Sequence, residues 1–122
     1  MFQTIQDLVS AGGGTFDLNS NPILKPSGFW IGGVTDELRI SIDGVNPETS
    51  VHWLIEKVSL IFNQRPVGKD QGYGFWVDDD VLVIEISNHT INLGDAINQA
   101  VDREQQAIYD CYDQVDLYIV RL

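Results

Sequence analysis

Two runs rich in aromatic and β-branched residues, Gly72 to Val77 and Val81 to Ser87, flank Asp78-Asp79-Asp80, and this arrangement restricts the chain to few folds. Consecutive aspartates suit a tight turn and not a strand interior, so the runs read as a β-hairpin. Side chains alternate along a strand. Leu82, Ile84 and Ile86 therefore share one face, the expected core face, and Val81, Val83 and Glu85 share the other. In the first run Tyr73, Phe75 and Val77 oppose Gly72, Gly74 and Trp76, which leaves Trp76 on the face away from Phe75.

A helix is expected next, capped by Asn92 or Asp95, because Leu93, Ala96, Ile97, Ala100, Val101, Ala107, Ile108 and Cys111 recur at steps of three and four. Its opposite face is polar, and Val115 to Val120 reads as a closing strand. At the start, Thr4 caps a short helix that shares Ile5, Leu8 and Val9 on one face and ends at Gly12-Gly13-Gly14. Those glycines are no phosphate loop, since no Lys-Ser or Lys-Thr follows them and a helix precedes them.

Thr15 to Leu18 reads as a short strand. Gly28 to Val34 reads as another, with a bulge or close backbone approach at Gly32-Gly33, paired to Leu38–Asp43 across a Thr35-Asp36 turn. Asn46-Pro47-Glu48 opens a second long helix with the apolar stripe Val51, Leu54, Ile55, Val58, Ile61 and Phe62. Trp53 stands beside that stripe, either as a half-buried packing residue or as an interface anchor. The sum is a single α+β domain over residues 1–122, mainly antiparallel sheet with two long amphipathic helices packed on one face.

Charge is the one compositional feature that stands out, and it reads either as a field that draws a partner or simply as a solubilising acidic surface. The chain holds 18 acidic and 7 basic residues, a net −11, and the imbalance lies mostly after residue 69. Such a field repels nucleic acid and anionic lipid and favours cationic partners. No apolar run approaches the roughly 18 to 20 residues of a membrane span, and the first residues lack the pattern of a signal peptide. A cytoplasmic location is expected. Lone Cys111, on an apolar face, reads as a buried and inert thiol.

His52 and His89 have no neighbours at metal-ligand spacing, and Asp78-Asp79-Asp80 lacks the alternating ligands and distant Glu of a calcium loop. Ser41, Ser59 and Ser87 lack a nucleophile elbow. No catalytic residue, metal or cofactor is expected.

Gly12-Gly13-Gly14-Thr15, Gly28-Phe29-Trp30, Gly74-Phe75-Trp76 with Val83 to Ser87, and Arg103 to Ile108 together form a pattern that resembles a loose group of small accessory proteins of bacteriophages and integrative or conjugative elements. The resemblance implies a mobile-element setting, in which small acidic proteins sometimes block host defence.

The leading expectation is a non-catalytic acidic protein that binds a basic protein surface, in one form as an inhibitor that imitates nucleic acid. Asp78, Asp79, Asp80, Asp102, Asp110, Asp113 and Asp116 would carry it, with Asp102, Asp110 and Asp113 sharing one side of the last helix. Duplex DNA shows roughly one charge per 1.7 Å of axis, so an imitator needs carboxylates in rows. One alternative is an immunity or antitoxin-like protein that neutralises a basic toxin through Trp53, Trp76 and nearby acids. The other is a small ligand-binding domain or enzyme with a pocket between helix and sheet near Trp30 and Tyr73. Self-association through the Trp-bearing strands as a homo-oligomer is compatible with each.

Overall fold

The computed structural model describes residues 3–120; Arg121, one of two basic residues in the acidic half, lies outside them. The elements are α1 Ile5–Ala11, β1 Gly13–Phe16, β2 Phe29–Ile31, β3 Leu38–Ser41, α2 Val51–Ile61, β4 Gln71–Asp78, β5 Val81–Thr90, α3 Leu93–Asp102, β6 Ala107–Asp110 and β7 Val115–Tyr118, with a turn of 3-10 helix at Ile42–Gly44. This is an α+β fold. Its strands form one curled antiparallel sheet in the order β1-β4-β5-β2-β6-β7, with β3 also paired to β5.

The β4–β5 hairpin is the centre of the sheet. It pairs from Gln71↔Asn88 to Asp78↔Val81, so the aspartate run supplies the last strand residue and a two-residue turn, with Asp79 at φ 55°. Asp tolerates that left-handed conformation better than most residues. Leu82, Ile84 and Ile86 are buried with Tyr73 and Phe75 against Ile5 and Leu8 of α1 and Val51, Leu54, Ile55 and Val58 of α2. A second cluster joins Ala96 and Ala100 of α3 to Ile31 and Ile108, with Phe29, Leu117 and Ile119 packed on it.

The helix starts obey local chemistry. Thr4 and Asp7 form a capping box on α1, and Asn92 Oδ1 accepts the Asp95 N–H at 3.0 Å. The second helix, however, begins at Val51 and not at Asn46. Ser50 Oγ takes the Trp53 N–H, while Asn46 spends its side chain on a turn, accepting the Glu48 N–H.

Two expectations are corrected by longer-range effects. Gly28–Val34 and Leu38–Asp43 do not form a hairpin. Both run along the same edge of β5, β2 against Asn88–Thr90 and β3 against Val81–Ile84, like one strand interrupted at residues 32–37. The interruption is pinned where Val34 N–H bonds Ile86 O and Thr35 Oγ1 accepts the Ile86 N–H. The last helix is also not long: α3 stops at Asp102, and Ala107, Ile108 and Asp110 belong to β6. Gln105 N–H bonds Ala100 O and Glu104 N–H bonds Val101 O, with Glu104 at φ 58°. These are the two bonds of a Schellman stop, built here on a glutamate where glycine is usual.

Candidate functional site

The residues that alternate away from the helices line a cleft on the sheet's concave face. Register places Trp30 opposite both His89 and Tyr109, Gly74 opposite Glu85, Trp76 opposite Val83, and Tyr109 opposite Asp116. Cross-strand partners share a face. The curl then brings the two sheet margins toward each other, so that Gly13 and Thr15 of β1 and Asp116 and Tyr118 of β7 border one cleft of about 870 Å³. Trp30 is its buried floor at 6 % exposure and packs edge-on against His89 at 5.3 Å between centroids. Trp76 (39 %) and Tyr118 (71 %) stand at its walls.

The cleft is acidic as well as aromatic. Asp78 and Asp79 line one end and Asp116 lines the β7 wall. Asp78 is held by Arg39 at 2.6 Å, and Lys25, also on the lining, pairs with Asp70 at 3.0 Å. Among the described residues no basic side chain lies within ion-pairing distance of Asp79, Asp80, Asp102, Asp110, Asp113 or Asp116. The Asp79 and Asp116 carboxylates therefore give the cleft its negative sign.

The remaining predicted residues fall elsewhere. Asp80 sits in the β4–β5 turn, where its carbonyl accepts the Ile42 N–H. Asp102 ends α3, Asp110 ends β6 and accepts the Tyr112 and Asp113 N–H groups, and Asp113 lies in the β6–β7 turn. The helical row of Asp102, Asp110 and Asp113 does not form, because α3 stops before two of its members. Trp53 is 47 % exposed on α2 with Lys57 Nζ 5.4 Å from its ring centre, and it is not on the cleft. Trp30 and Tyr73 are not brought together: Tyr73 is fully buried in the helix-covered core, and the cleft that includes Trp30 lies on the other face. Cys111 is buried in the turn after β6, and burial pushes its thiol pKa up.

Beside the cleft lies a polar cluster missed from the sequence. Glu85 is 7 % exposed, and a Cβ on Gly32 would overlap its carboxyl oxygen. Burial, then the neighbouring Glu37 charge, pushes its pKa up to about 7 against the opposing Gly33 N–H and Arg103. The Arg103 guanidinium donates to Asn88 Oδ1 at 2.5 Å, Gly32 O at 3.2 Å and Gln99 Oε1 at 3.3 Å. It thereby ties β5, the interrupted strand and α3 together. Alternation places Glu85 on the face opposite Leu82, Ile84 and Ile86, where it is found; the one sequence signal for its burial was an acid in a core strand together with a distant Gly-Gly pair.

Comparison of the chain with protein-family models, characterised proteins and solved structures gives no match. No helix of the described residues is long and apolar enough to cross a membrane. No group of three His, Cys, Asp or Glu side chains among them converges on a point that would hold a metal ion.

Proposed function

We propose that the protein is a non-catalytic binding protein whose acidic cleft takes a basic segment of another protein. One observation carries the reading: Trp76, Tyr109 and Tyr118 line the same concavity as Asp79 and Asp116. Aromatic faces and carboxylates both favour a cation, the former through the ring quadrupole and the latter by direct charge. The net charge of −11 adds long-range steering of a basic partner. A mobile-element accessory role, in which the partner handles nucleic acid, accords with this chemistry. The immunity-type reading needs a partner that reaches both α2 and the cleft, because Trp53 and Trp76 lie on different elements and only Trp76 borders the cleft.

The test is calorimetric titration with a Lys- and Arg-rich peptide at about 150 mM salt, where the Debye length is about 8 Å and remote charges are largely screened. The double variant Asp79→Asn, Asp116→Asn weakens binding about tenfold, the sum of two charge-assisted contacts of roughly 0.7 kcal/mol each. The control double variant Asp102→Asn, Glu48→Gln removes the same charge from residues that are not on the cleft lining, and changes affinity less than about twofold. Equal losses from the two variants would mean that net charge, and not the cleft, attracts the peptide.

A further inference from the structure

We infer that the basic segment binds as an added β-strand on the edge of β7 that no strand of the described residues pairs with, an assignment that rests on the binding reading above. Strands β6 and β7 pair from Ala107↔Tyr118 to Asp110↔Val115, and in the same register Ile119 N–H bonds Gln106 O at 2.8 Å. Bonded and non-bonded pairs alternate in an antiparallel ladder. Leu117 and Val115 therefore turn their backbone groups to β6, whereas Asp116 and Tyr118 turn theirs outward.

The opposite margin offers less. At β1, Thr15 O already accepts the Ile23 N–H at 2.9 Å. Strand β7 reads Val115-Asp116-Leu117-Tyr118, with no lysine or proline; its one guarding charge, Asp116, repels an acidic segment but not a basic one. Its Val115 and Tyr118 are exposed while Leu117 packs inward on the α3 cluster.

An added strand places every second side chain on the cleft face. Cationic residues at those positions lie over Tyr118 and beside Asp116, with Tyr109 one strand further into the cleft, and the segment's backbone satisfies the outward groups of β7. This is strand addition, in which main-chain bonds supply affinity and alternate side chains supply selection. A second copy of this chain is a poor occupant, since each copy carries −11 and would bring another Asp116 to the edge.

Three nine-residue peptides of alternating Lys and Val test this: one unmodified, one N-methylated at every Lys and one N-methylated at every Val. A strand presents its Lys and Val N–H groups to opposite edges. One methylated peptide therefore loses at least about tenfold in affinity while the other stays within about threefold of the parent. The Asp116 and Tyr118 amides become protected from hydrogen exchange on adding the parent peptide. Equal affinity of all three, with no such protection, overturns strand addition but leaves the cleft binding a basic segment. Failure of the parent to bind at about 50 mM salt, where the Debye length is still above 10 Å, removes the binding reading itself. A dimer that protects the same amides without peptide also overturns the assignment.

Discussion

Glu85→Gln stabilises the protein by roughly 3 kcal/mol near pH 8 and changes its stability little near pH 4. The sign follows from burial. In the fold the Glu85 carboxyl titrates at about 7, above its ordinary 4.5, because burial and Glu37 oppose ionisation more than the Gly33 N–H and Arg103 favour it. The folded state thus keeps its proton where the unfolded chain has lost it. Stability from this group is fully present below about pH 4.5 and falls as pH rises toward about 7, after which the difference is constant. Glutamine resembles the protonated carboxyl and does not ionise, so the wild-type minus variant difference isolates this one group. Urea denaturation of both proteins between about pH 4 and 8 measures it, and parallel curves would show that Glu85 ionises freely in the fold.

Gly13→Ala destabilises the fold by at least about 3 kcal/mol and strips one wall from the cleft. Gly13 holds φ 135°, and a Cβ there would overlap the Phe75 carbonyl and lie 2.9 Å from Trp76 Cα. Both obstacles are backbone in the central hairpin, so neither can turn aside as a side chain would. Gly44→Ala is the matched control. Nothing lies within 4 Å of its added Cβ, and its stability stays within about 0.5 kcal/mol of wild type. A Gly13→Ala protein as stable as this control would show that β1 does not approach β4 as described.

What could be read in the sequence was local. The β4–β5 hairpin, the buried face of Leu82, Ile84 and Ile86, the caps at Thr4 and Asn92 and the strand at Val115 all rest on signals within a few residues. The α3 stop was hidden because Glu104 occupies the left-handed position, and Ala107, Ile108 and Cys111 happen to continue a helical spacing. Strand β2 looked like half of a hairpin because its actual neighbours, β5 and β6, lie more than fifty residues away. The cleft shares that difficulty. Trp76, Asp79 and Asp116 were singled out for type and charge, but only curling of the sheet brings β1, β4 and β7 around one space. Glu85 was assigned its face correctly, opposite Leu82, Ile84 and Ile86, but not its burial, since strand alternation cannot show that Gly32 leaves room for its carboxyl.

The cleft's role is tested most directly by nuclear magnetic resonance of the whole chain titrated with the unmodified Lys-Val peptide. Its three tryptophan indole N–H signals, from Trp30, Trp53 and Trp76, report separately on the cleft floor, α2 and the cleft wall. Binding in the cleft shifts the Trp76 indole and the amides of β7 and the β4–β5 turn while leaving the Trp53 indole in place. Shifts centred on Trp53 and α2, with β7 unchanged, would contradict the account.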